Sequence, residues 1–151
     1  MESKIWIYKA NRILSEEEAA KAKNYLEQFI ESWKAHGTKL DASYELRDNL
    51  FVVLKLNEAS QMATGCSIDE SVHFIQQLGQ ALQVDFFDRT QLALKINDEI
   101  TLMNMHDLAQ AYESGKVNDN TLMFDTLVKD SDAYEREFVK PLSKSWLKQV
   151  V

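Results

Sequence analysis

Apolar and polar positions along this chain fall into runs whose periods name the elements. Ile5-Trp6-Ile7-Tyr8 is a continuous aromatic and β-branched run that ends near Asn11, the pattern of a buried strand. Ser15 then stands three residues before Glu18, a capping-box spacing that opens a helix, and Ala22, Leu26, Phe29 and Trp33 recur along one face of it. Gly37 supplies the left-handed residue that stops this helix. Two strand-like runs, 40–46 and 50–56, flank the turn-prone Arg47-Asp48-Asn49 and predict a hairpin. Within the second run Phe51-Val52-Val53-Leu54 is apolar without alternation, so both its faces are covered.

After a polar loop the pattern returns to helical period, with Ile68, Val72, Ile75, Gly79 and Leu82 on one face and Gly79 letting that face approach the sheet. Ser67 and Glu70 form the capping box that starts this second helix. Leu92 to Ile96 reads as a strand, turned by Asn97-Asp98 into a further apolar run from Ile100 to Met103. The order β-α-β-β-α-β is that of the split βαβ arrangement, which predicts an α+β fold with a ferredoxin-like core. Beyond it come a short helix from His106 to Ser114 stopped by Gly115, a strand over 121–124, a polar loop over 129–136, and an edge strand over 138–142. The expectation is one domain spanning 1–151, with a core of about 1–97 and an irregular C-terminal extension over 98–151.

Composition supports a fully folding chain. Hydrophobic residues make up 45% of 151 and charged residues 27%, with four glycines and one proline. Seventeen basic against 24 acidic residues give a net charge of -7, and no stretch gathers the cations that a phosphate backbone rewards, so nucleic acid is not an expected partner. The acidic run Glu16-Glu17-Glu18 lies in the first turn of the first helix, where it complements the helix dipole. A single cysteine can form neither an internal disulfide nor a cysteine-based zinc cluster. The N-terminal apolar run is too short for a leader, no span approaches membrane length, and the expected setting is a reducing, cytoplasmic one.

Several segments resemble a family of short bacterial proteins of uncharacterised function, often labelled "ABC transporter ATPase". They are Ala35-His36-Gly37, Gly65-Cys66-Ser67-Ile68-Asp69, Val84-Asp85-Phe86-Phe87-Asp88-Arg89, Gly115-Lys116-Val117-Asn118-Asp119-Asn120-Thr121, and Pro141-Leu142 ahead of Trp146. The resemblance implies membership and brings no catalytic residue with it. The label's chemistry is not in the chain: glycines stand only at 37, 65, 79 and 115, so no G-x-x-x-x-G-K-[ST] loop exists to cradle phosphates. In the tail, Tyr112 to Val117 and Thr121 to Phe124 are similar to the central run of GYF-2-type modules, which implies a protein contact.

Candidate chemistry centres on Cys66. A thiol in the first turn of a helix, beside Gly65, Ser67 and Asp69, meets free amides and the positive end of the dipole, which favour a thiolate or a bound anion. A small buried residue packed ahead of the helix is the commoner role of a free cysteine. His36, placed at the end of the first helix, can neighbour the start of the second in an antiparallel pair, which makes a Cys66/His36 dyad a second candidate; a histidine simply favoured by the helix terminus is the simpler account. His73 and His106 lack partners at metal-ligand spacing, so neither a metal nor another cofactor is expected. Asp69 and Glu70 are adjacent on a helix and point apart, so they form no acid/base pair. Arg12, Arg47 and Arg89 flank strand ends, where Arg47 and Arg89 can meet an anionic ligand or make surface ion pairs. Phe86-Phe87 and the methionines Met103, Met105 and Met123 offer either core or an adaptable contact surface. The leading expectation is a non-enzymatic binding protein for a small anionic ligand or a protein partner, with an anion site at the second helix start. The competing one is a Cys66-dependent thiol enzyme or redox sensor.

Overall fold

A computed structural model describes residues 3–151; Met1 and Glu2, the first residues of the N-terminal run, lie outside it. The fold is mixed α+β, built on two larger antiparallel sheets and a small two-stranded one. Strand β1 (Lys4–Lys9) pairs with β5 (Phe51–Asn57), which also pairs with β4 (Asp41–Arg47), giving the order β1-β5-β4. Helix α1 (Glu16–Ser32) starts at the expected Ser15/Glu18 capping box, and its stripe Ala22, Leu26, Phe29 and Trp33 is buried throughout. That stripe meets α2 (Gly65–Leu82) through Phe29 stacked on Phe74 at 4.4 Å between centroids, and meets the sheet through Trp33 edge-on to Trp6 at 6.0 Å.

His36 and Gly37 do not end α1. The helix stops at Ser32, and the chain doubles back as a small hairpin of β2 (Lys34–Ala35) and β3 (Thr38–Lys39). His36 and Gly37 are its exposed loop, both at positive φ (53° and 75°), as the tight hairpin turn that matches strand twist requires. The close approach at Gly79 also differs from expectation. A Cβ there would sit 2.7 Å from the Val84 carbonyl oxygen, so the glycine admits the chain's own return after α2 rather than a sheet strand.

The second sheet, in the order β7-β6-β8-β9, comprises β6 (Gln91–Ile96), β7 (Glu99–Asn104), β8 (Leu122–Phe124) and β9 (Val139–Pro141). The turn Asn97-Asp98 joins β6 to β7 as expected, both residues at positive φ. Strand β6 is therefore paired on both sides, with β7 and β8, and does not extend the first sheet. The β1 edge, where a split βαβ fold sets its fourth strand, is closed instead by residues 129–131: Ile5 N–H donates to Lys129 O at 2.8 Å and Ser131 N–H to Ser3 O at 2.9 Å. Helix α3 (Met105–Glu113) buries Leu108 and Ala111 against this second sheet. The polar stretch expected as a loop holds a short helix, α4 (Ser131–Glu137), capped by Asp130, whose carboxylate accepts from Ala133 N–H at 2.8 Å. Two short 3-10 helices, Leu142–Lys144 and Trp146–Gln149, complete the chain. The second sheet thus straddles Asn97.

Strand β5 has the doubly covered character its unalternating run implies, with residues 51–54 all buried. On the side opposite the helices, Phe51 meets Phe124 and Phe138 at centroid separations of 5.2 and 5.0 Å. Arg47 lies over the Phe138 ring at 4.8 Å and donates from Nη1 to the Tyr134 hydroxyl at 3.2 Å, so it serves the seam between α4 and the first sheet. The Tyr134 hydroxyl also bonds to the Glu45 carboxylate. Burial first, then Glu45, pushes the Tyr134 phenol up to about 12, against the opposing pull of Arg47. A raised phenol contributes stability that is complete below its ordinary value of about 10 and is lost as pH climbs through the folded value. Urea melts across that alkaline range will show wild-type stability falling toward that of Tyr134→Phe, while the difference between the two stays constant below it.

Candidate functional site

The alternation of β1 sends its side chains to two different environments. Trp6 pairs with Leu54 and meets Trp33 on the helix side; Ile7 and Lys9 pair with Val53 and Phe51 and so face the C-terminal segment. Lys9 is consequently 9% exposed, and its Nζ is shut from solvent with no hydrogen-bond or ion-pair partner among the described residues. Burial pushes the Lys9 ammonium below its ordinary range, and the charges of Asp88 and Asp85 restore only part of that.

Lys9 lines a cavity of about 660 Å³ at the junction of the two sheets. Its wall is apolar on the α2 side, from Val72, Phe86 and Phe87, and on the second-sheet side, from Leu92, Met123 and Phe124. Leu127, Trp146 and Met105, all exposed, stand at its margin. The loops that frame it are fixed by one repeated device, an aspartate accepting from the backbone amide two residues on. Asp85 holds Phe87 N–H at 2.8 Å, Asp88 holds Thr90 N–H at 2.8 Å, and Asp125 holds Leu127 N–H at 2.9 Å. Asp88 also accepts the Thr90 hydroxyl at 2.6 Å; these two bonds, with a smaller contribution from Lys9, lower its carboxyl. Asp125 is neutralised by Lys140 at 2.9 Å, while Arg89 is exposed on the wall and makes no salt bridge among the described residues. A second unpartnered buried atom, Gln91 Oε1, belongs to a residue of the same wall.

The second helix start is built differently from the Ser67/Glu70 frame. Thr64 is the cap: its hydroxyl accepts from Ser67 N–H at 3.1 Å, and Ser67 Oγ accepts from Thr64 N–H at 2.7 Å. Both spacings satisfy the capping-box pattern. The frame is decided by Trp33, whose indole N–H donates to Ser67 O at 2.8 Å and draws that residue into the core at 2% exposure. Glu70 is left exposed, as is Asp69. Gly65 has open space where a Cβ would lie, so no close backbone approach depends on it. Cys66 is exposed rather than packed, and no hydrogen bond joins it to His36. Trp33, which directly precedes the hairpin that bears His36, bonds to Ser67, so the end of α1 does neighbour the start of α2.

Arg12 bridges Glu18, at 2.8 and 2.7 Å, and the last turn of α2, donating to Leu82 O at 2.9 Å. Of the arginines singled out in the sequence, Arg89 alone lines the cavity. No group of three or more metal-ligating side chains forms among the described residues, and none of their helices is long and apolar enough to cross a membrane. Comparison with family models, with curated proteins and with solved structures gives no match to this chain.

Lys9 is the residue that sequence reasoning missed. It follows a strand run and looks like a solvated end, yet it lies on the sheet face where Phe51, its pairing partner, packs against Phe124 and Phe138, more than a hundred positions away. A partial signal lay in Phe86-Phe87, Arg89, Met105 and Met123, which all line the cavity. For the helix start, Thr64→Ala is expected to cost about 1 kcal/mol in urea melts, and Glu70→Ala close to nothing; the reverse order would restore the Ser67 frame.

Proposed function

We propose that this protein is a non-enzymatic binding protein whose small anionic ligand is held at Lys9 in the cavity between the two sheets. The observation that carries this reading is an ammonium group removed from water with no partner. Such a group is unfavourable by several kcal/mol unless it sheds its proton or meets an anion. An anion entering the cavity meets the exposed Arg89 and reaches the Lys9 ammonium by displacing the side chains packed over it, while Lys140 already offsets Asp125. The α2 start offers less: Thr64 and Ser67 occupy one another, and no buried unpartnered group adds to the helix dipole there. The resemblance to the family labelled "ABC transporter ATPase" suits a binding role, since this chain has no phosphate-cradling loop.

A second reading rests on Cys66, whose exposed thiol in the first turn of α2 is open to electrophiles and oxidants, as a thiol enzyme or redox sensor needs. Iodoacetamide is expected to alkylate native protein about as fast as denatured protein. Native alkylation that is slower at every pH removes this reading.

For the cavity, thermal melts with acetate or inorganic phosphate, set against sodium chloride of equal ionic strength, test the role of Lys9. The anions are expected to raise the Tm of wild type and to have no specific effect on Lys9→Met. Without any anion, Lys9→Met is expected to be the more stable protein by about 1–3 kcal/mol, because an unsatisfied buried group is gone. Equal anion effects on both proteins defeat the proposal.

A further inference from the structure

The lining of the same cavity specifies more than a charge. Accepting the anion-binding reading, we infer that the ligand is an amphiphilic monoanion, a carboxylate carrying an aliphatic or aromatic body, with its head at Lys9 and its body against the apolar walls.

Three features of the cavity carry this. The first is balance of charge. Lys140 already offsets Asp125, and Lys9 is the buried cation of the lining that no carboxylate pairs, so the ligand needs one negative charge to meet it. A second one on the ligand would face the carboxylates of Asp88 and Asp125, a repulsion that a low-dielectric wall strengthens.

The second is the character of the wall. Beside the charged groups and the polar Tyr8, Gln91 and Thr126, it is made of aliphatic, aromatic and thioether side chains, among them Val72, Phe86, Phe87, Leu92 and Met123. A fully solvated small anion gains nothing from such a surface, whereas each methylene transferred onto it gains about 0.8 kcal/mol, or fourfold in affinity. At about 660 Å³ the space lies well within the ~300–1,000 Å³ typical of small-molecule pockets, and is much larger than a bare acetate or phosphate needs.

The third is the margin. Leu127 is 68% exposed and Trp146 44%, large apolar side chains left in water beside the entrance. The Asp125 turn holds the Leu127 backbone in place through its amide, so Leu127 is presented on a fixed loop. An apolar tail leaving the cavity removes both side chains from water, which a compact polar ligand does not.

The test is calorimetric titration of the intact chain with straight-chain carboxylates from acetate to decanoate, the matching alkanols and alkyl phosphates. The proteins are wild type, Lys9→Met and Leu127→Ser. Affinity for the carboxylates is expected to rise about fourfold per methylene until the cavity is filled. Lys9→Met is expected to lose about 10–100-fold for carboxylates and nothing for alkanols. Leu127→Ser, at an exposed position, is expected to flatten the dependence on long chains. If acetate binds through Lys9 and longer chains bind no better, the amphiphile inference fails and the anion-binding reading stands. If no carboxylate binds, both fail. Alkanols that gain with chain length as carboxylates do, with no effect of Lys9→Met, would overturn the assignment of the head to Lys9. Alkyl phosphates that outbind their matched carboxylates would overturn the single-charge assignment.

Discussion

The contact on which the rest of the structure depends is the aromatic cluster of Phe51, Phe124 and Phe138. Phe51 lies at the start of the central strand of the first sheet, Phe124 at the end of a strand of the second, and Phe138 just past α4. Burying large rings gives the C-terminal segment an apolar reason to lie across β5, and their edge-on and tilted geometry fixes where it lies. Once that segment is held, residues 129–131 close the open edge of β1, and the two sheets stay joined at the position where the cavity forms. Arg47 reinforces the seam by covering Phe138 while bonded to Tyr134, so its charge is engaged in packing rather than offered to a ligand.

The same docking explains the state of Lys9. Strand alternation places its side chain on the face that the C-terminal segment covers, and packing then encloses the ammonium group without supplying an ion partner. The nearby aspartates are committed elsewhere: Asp85 and Asp88 hold their own turns, and Asp125 is bonded to both Leu127 and Lys140. Their loops gain rigidity and Lys9 keeps its unmet charge. A buried polar group without a partner is unfavourable for the fold, which is why such groups concentrate where a ligand supplies what the protein omits.

Local elements were legible where local physics decides them. The Ser15/Glu18 box, the α1 stripe, the Asn97-Asp98 turn and the unalternating β5 run each follow from interactions within a few residues or from a single periodicity. Two of the failures came from local solutions that were nearly equivalent. Thr64 and Ser67 both offered capping boxes, and Trp33 selected one by bonding to Ser67 O. His36-Gly37 suited a helix end and a hairpin turn equally, and the pairing of Lys34 with Lys39 selected the turn. The 129–136 segment read as loop because its polarity hides the Asp130 cap and the burial of Phe138 beside it.

By itself the sequence determined the kinds and approximate limits of most elements, the absence of a phosphate loop, and the overall α+β character, because these depend on periodicity, caps and residue inventory. Tertiary structure decided which strands share a sheet, since the edge of β6 that the Asn97-Asp98 hairpin leaves free was taken by β8 and not by β1. It also decided which of the chain's many lysines is buried. Lys9 shares its face of the first sheet with Phe51, which packs against Phe124 and Phe138, and no local pattern around Lys9 encodes a surface contributed from so far along the chain.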